Sequence, residues 1–243
     1  MKVFMTKTKT RLISAAIAVV VAAAALFLLM PSVLSTTASG EVWNGQSADS
    51  FETGDGTEGD PYQIKTAEEL ALMAIKVNSG EAYYLSAHYK LTADIVLNES
   101  LDGTPNEWTA IGTQANPFTG KFSGDGHTIS GIVINSTSPY QGLFGYLYRN
   151  GTIMNVGVVD SSISGGNYVG GVCGQKDGII KNCYSTGAVS GSSVVGGVCG
   201  DNGGTITNCY STGAVSGTSY VGGVCGYNSG TITNCYSTDI VTG

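Results

Sequence analysis

Charge is nearly missing from the second half of this chain. Between residues 164 and 241 the charged residues are Lys176, Asp177, Lys181, Asp201 and Asp239. Cleaving a glycosidic bond needs paired carboxylates, and an elongated β surface would also place Arg or Lys on the same face. That clustering is not there. Histidine is almost as scarce: His88 and His127 are the two, and neither lies among the cysteines. With no C-x-x-C spacing either, structural zinc is disfavoured. H-E-x-x-H, G-x-S-x-G and phosphate-loop patterns are missing too, so no catalytic residue, cofactor or metal site is expected. Nor is there a basic stripe. Lys and Arg total 11 against 18 Asp and Glu, for a net charge of −7, which excludes nucleic acid and anionic lipid as natural partners. After Met30 no second long apolar run follows, so membrane attachment would have to use the first segment.

That segment reads as an export signal. Lys2, Lys7, Lys9 and Arg11 precede an uncharged run from Leu12 to Met30, followed by Pro31 and the small residues Ser35 to Ser39. Residues 1–38 are a signal peptide cleaved near Ala38 or an N-terminal membrane anchor, since the run is long enough for either. A secreted or cell-surface protein is expected. Residues 39–59 carry Glu41, Asp49, Glu52, Asp55 and Glu58 among Gly54, Gly56 and Gly59, and read as an extended acidic linker. Asp55, Glu58 and Asp60 lie close enough to hold Ca²⁺ weakly, but the spacing of a calcium loop is incomplete, and a solvated acidic turn is expected.

Repetition dominates what remains. Gly-Gly-Val-Cys-Gly occurs at 170–174, 196–200 and 222–226, and Asn-Cys-Tyr-Ser-Thr at 182–186, 208–212 and 234–238. Both recur every 26 residues without a gap, so each unit stacks on a copy of itself. Twenty of the 36 glycines fall between 164 and 243, yet Val, Ile, Cys and Tyr hold fixed columns, so the glycines mark corners and close approaches in an ordered coil. Within a unit, Ser216–Ser219 is expected as a turn, 220–225 as a strand, 226–230 as a turn, 231–236 as a strand, and 237–241 as a short extended piece. One 26-residue coil per unit, rising about 4.8 Å, makes a β-solenoid. A two-layer sandwich fits the uninterrupted period poorly.

Stacking in register predicts columns. Ile180, Ile206 and Ile232 form one. Asn182, Asn208 and Asn234 form another, either an amide ladder or, as the spacing favours, a corner with left-handed dihedrals. Ile206 and Cys209 have opposite parity, and an unbroken strand could not bury both. Tyr184, Tyr210 and Tyr236 make a third. The cysteines Cys173, Cys199, Cys225 and Cys183, Cys209, Cys235 fill two more. In a degenerate earlier copy Phe144 and Val156 take those places. A position that accepts Phe or Val is a core position, so reduced, inward-facing thiols are favoured over the disulfides an even count would otherwise suggest.

Before the repeats, Thr66-Ala67-Glu68-Glu69 is a capping box, Leu70, Met73, Ala74 and Val77 follow at helical spacing, and Gly80 is placed to end the helix. This is the one convincing helix after the export segment, and it is expected to cover the N-terminal end of the solenoid. Strands are expected over 61–64, 89–97, 108–111, 118–122 and 128–134. His127 with Asp125 is a conceivable general base, although a polar turn is the expected reading; His88 has no evident partner.

The repeat, Gly-Gly-Val-Cys-Gly followed by Gly-Thr-Ile-Thr-Asn-Cys-Tyr, resembles the GLUG motif of exported and surface proteins. The preceding region resembles the module that commonly comes before such repeats, through Gly59–Ile64, Ala67–Leu70, Tyr89–Ile95, Trp108–Gly112 and Phe122–Ile129. The resemblance implies an all-β fold, a right-handed parallel β-helix with an N-terminal capping helix, and supplies no catalytic residues. Residues 60–134 would be the cap with the first irregular coils, and 135–243 the repeats. The expected function is a non-catalytic exported or surface module, adhesin-like or a spacer, whose partners are glycans or surface proteins. The alternative is a polysaccharide-active β-helix enzyme or its accessory carbohydrate-binding module. The last unit, Asn234 to Val241, carries nothing to blunt it and is expected to fray or to associate end to end.

Overall fold

The computed structural model describes residues 42–243; the signal-or-anchor reading of 1–38 lies outside the described residues. The described chain is a β-solenoid whose rungs stack in parallel. Its longest sheet, here sheet I, has seven strands, from Tyr62–Ile64 through His88–Leu91, Lys121–Ser123, Thr152–Met154, Ile179–Lys181 and Thr205–Thr207 to Thr231–Thr233. Each repeat then visits three more sheets. Tyr184–Ser185 belongs to sheet II, Ala188–Gly196 to sheet III, and Cys199–Asn202 to sheet IV, before Thr205–Thr207 returns to sheet I one rung higher. Inward columns keep residue type: Cys173 pairs Cys199, which pairs Cys225, and Ile180 pairs Ile206, which pairs Ile232. Identical coils leave no other register that buries the same set.

The local phase differs from expectation. The unit over 179–202 has four strand segments, and that over 205–228 has five, not two or three. Cys225–Asn228 is a strand where a turn was expected, and Ser216 and Ser219 lie in strands. Gly and Asn disfavour strands by local preference, but pairing to an identical rung supplies both hydrogen-bond edges and overrides it. Earlier, the strand expected over 89–97 breaks into His88–Leu91 and Ile95–Val96, and 108–111 contributes only a single bridge, Ile111 to Phe144.

Helix α1 (Ala67–Asn78) forms as expected. The Thr66 hydroxyl accepts the Glu69 N–H at 3.2 Å. The Glu69 carboxylate, fully buried, accepts the Lys65 N–H at 2.9 Å and that of Glu52 at 3.3 Å. Its reach is therefore one residue before the cap. Gly80 follows the helix at φ +80 and donates to the Val77 carbonyl, the left-handed stop only glycine adopts freely. Leu70, Met73 and Val77 are fully buried in the common core. A second helix, α2 (Ala82–Ser86), was not expected; five residues are too few for a period to show.

The acidic segment is not an extended linker where it is described. Trp43 is buried edge-on against Trp108, centroids 5.9 Å apart, and Phe51 stacks on Tyr62 at 4.2 Å. The Trp43 N–H reaches the Val96 carbonyl and the Ala48 N–H the Glu68 carbonyl. Two aromatics outweigh the composition, because each can bury on the order of 150–250 Å².

Candidate binding surfaces of the coils

The corners of the solenoid decide which side chains face out. At one corner Asn155, Asn182, Asn208 and Asn234 all take φ between 53° and 55°, the left-handed region asparagine tolerates best among non-glycines. The reversal lets Ile180 and Cys183 both point inward, each essentially fully buried. The amides also form a ladder: Asn182 Nδ2 donates to Asn155 Oδ1 at 2.8 Å, Asn208 to Asn182 at 3.1 Å, and Asn234 to Asn208 at 3.3 Å. Corner and ladder coexist because the column stands at the surface. Two residues on, Tyr184, Tyr210 and Tyr236 stack at 4.9 and 5.1 Å with rings within 6° of parallel. Burial by its neighbours holds the Tyr210 hydroxyl above its ordinary pKa. Below it the Tyr184 ring lies on Gly157, where any Cβ would collide with it.

The inward columns explain the cysteines. Cys173 stands above Phe144 in sheet IV, and Cys183 immediately precedes the Tyr184–Gly157 pair, above Val156. All six are free thiols, four of them buried. Burial pushes the Cys183 and Cys199 thiols well above the usual range, which makes them unreactive core atoms. Ser185 and Ser211 fill another inward column, their hydroxyls pressed against Gly171 and Gly197, where a Cβ would come within 2.2 Å of them. One placement was not foreseen from the sequence: Lys176, one of the five charges in 164–241, has no exposed surface. Its Nζ donates to the Gly178 carbonyl at 2.9 Å, and burial lowers its pKa.

The alternative pairing of His127 with Asp125 does not form, and the turn is polar as expected. His127 Nδ1 meets Asp94 Oδ1 at 3.2 Å, while Asp125 pairs with Lys90 at 2.9 Å. The same Asp94 oxygen accepts the Thr128 N–H at 2.8 Å, and this bond, first, holds its carboxyl below the ordinary value. The pair therefore ties one coil to the next across an exposed turn. Asp55, Glu58 and Asp60 do not converge either. Asp55 caps the Thr57 N–H, and Glu58 reaches Lys121 at 2.9 Å. No group of three metal-ligating side chains occurs among the described residues.

Beside Trp108 two clefts of about 340 Å³ each open into the surface, sharing Asn78, Glu107, Trp108 and Thr109. The first extends to Tyr140 and Gln141. Tyr140 begins a second left-handed corner, continued by Tyr168, Val194 and Tyr220 at φ 61°, 57° and 52°. Nothing in the local sequence announces it, because these residue types disfavour such dihedrals.

Residues 165–190 and 217–242 match the model of the GLUG motif. The chain is 36% identical over 151 residues to halomucin of Haloquadratum walsbyi, covering 59% of this chain and 2% of that protein. It is also 36% identical over 136 residues to a “Putative Gly-rich membrane protein” of Evansella cellulosilytica, covering 54% of this chain and 15% of that one. The chain thus spans a small fraction of the relatives it matches. Among solved structures it is similar to that of a “putative immunoglobulin A1 protease” from Bacteroides ovatus, with a TM-score of 0.64, 30% identity, and coverage of 77% of this chain and 59% of that one.

Proposed function

We propose that this GLUG-motif repeat protein is a non-catalytic module of the cell exterior, adhesin-like or a spacer, whose coils offer the same outward groups at each rung. The observation that carries this is the stacked tyrosine ladder of Tyr184, Tyr210 and Tyr236 beside the asparagine ladder. Repeated weak contacts to glycans or to surface proteins gain strength by effective concentration without any one strong site. The names of the two relatives, a mucin-like name and a membrane protein, support an exterior location. An enzymatic reading has two observations in its favour, the His127–Asp94 pair and the protease name of the structural neighbour. The pair's 3.2 Å contact serves coil stacking, and Asp125, the carboxylate two residues from His127, is engaged by Lys90 at 2.9 Å. A polysaccharide hydrolysis screen run with a glycan array decides between the two. Binding without product release is expected. Turnover abolished by Asp94→Asn or His127→Ala overturns the non-catalytic reading.

A further inference from the structure

The two tyrosine columns end differently. The Tyr184 ladder is closed below by Gly157. In the Tyr140–Tyr168 stack, 5.1 Å apart and 5° from parallel, Tyr140 lines the cleft of about 340 Å³ and Tyr168 does not. Tyr146 steadies Tyr140 edge-on at 5.6 Å. The Tyr140 ring is therefore held by two neighbouring rings in a residue that borders the cavity.

Its backbone makes the choice of residue informative. Tyr140 sits at φ 62° and Tyr168 at φ 61°. A left-handed tyrosine costs about 1–2 kcal/mol, and asparagine fills the equivalent need at the other corner. Such strain collects where a side chain is used. Opposite the ring the lining is short and polar: Thr109, Ser136 and Gln141 supply hydroxyl and amide groups, and Glu107 is the one charged residue in it. The volume suits a small ligand held by one flat apolar wall and a few polar groups. A lone carboxylate with no Lys, Arg or His beside it repels acidic polymers.

We propose that this cleft is a binding subsite for an uncharged polysaccharide, one sugar ring lying against Tyr140 and its hydroxyls bonded by Glu107 and the polar wall. This rests on the module being a contact surface and gives that surface a place and a ligand class. The probe is affinity electrophoresis of the full chain in gels containing β-glucan, xylan or mannan, with polygalacturonate and heparin as acidic counterparts. At least one neutral polymer should retard the protein and neither acidic one should. Tyr140→Asn, which keeps the left-handed corner and removes the ring, should weaken binding about tenfold, equivalent to about 1.4 kcal/mol. Glu107→Gln should weaken it several-fold, and Tyr148→Ala, at an exposed ring outside the cleft, should leave it unchanged. Each variant is compared with the parent by melting temperature, so that a lost fold is not read as a lost site. Failure of all neutral polymers to bind, preference for an acidic polymer, or loss with Tyr148→Ala but not Tyr140→Asn overturns the subsite while leaving a non-catalytic module standing. Release of shortened sugars would overturn that module reading instead.

Discussion

The coils up to residue 160 and the coils after it solve the same packing problem with different materials. In the first group Trp43, Tyr89, Trp108, Phe118, Phe122 and Phe144 are buried, and Phe144 touches Phe118 and Phe122 at 5.3 Å each. Phe144 is the last phenylalanine of the chain. Beyond it the interior is Val, Ile, Cys and Ser in columns. Pairings in the first group are uneven, with His88 against Lys121 and Tyr62 against Tyr89, whereas the repeats hold one spacing. Unequal coils leave gaps that only large side chains and α1 can fill. Equal coils need small ones, repeated. Stability should therefore be concentrated in a few side chains of the first group and spread thinly over the second, as in other stacked arrays.

The sharpest way to break that contrast is Leu70→Asp. Leu70 is fully buried under α1. Losing its packing and burying a carboxyl should together cost about 5 kcal/mol, read as a collapse of the first-group amides in hydrogen exchange. An unchanged urea midpoint would mean that α1 does not cover the core. Phe144→Ala comes next, at about 3–5 kcal/mol, against about 1–2 kcal/mol for Val198→Ala in the repeats; equal losses in paired urea titrations would erase the distinction. Gly196→Ala tests the repeats alone. A Cβ there would stand 2.1 Å from the Cys199 carbonyl oxygen, so the rung must shift, at about 1–3 kcal/mol. A neutral result would show that the coils breathe.

Lys176→Met should have the smallest effect and the opposite sign. Burial depresses the lysine's pKa below its ordinary 10.5. Between the folded and unfolded values the unfolded chain binds the proton more strongly, so this group's contribution rises with pH toward 10.5 and levels off above it. Met removes the penalty and should stabilise by about 1 kcal/mol at neutral pH, with the gap to the parent closing as pH rises. A gap independent of pH would mean that folding leaves the Lys176 pKa where it is in the unfolded chain.

How much was legible follows the same division. The Cys columns could be placed because Phe144 and Val156 stood in for them, and α1 because its cap, apolar spacing and stop glycine are all local. The folding of the acidic segment onto the cap was not legible, since charge and glycine masked Trp43 and Phe51. The His127 partner was not legible because Asp94 lies one coil away, and only stacking brings them within 3.2 Å. The Tyr140 corner was invisible for the reason that makes it informative, a residue type that opposes its own dihedral.

By itself the sequence determined the period, the register and the identity of the columns, because identical units stacked in parallel can bury one set of side chains only one way. The tertiary structure alone decided where each corner falls, that Lys176 points inward, and that the first tyrosine of one column borders a cleft while the first of the other is sealed. Those depend on the coil below, whose chain neighbours lie some 26 or more residues away, and no local preference encodes a surface that two distant segments make together.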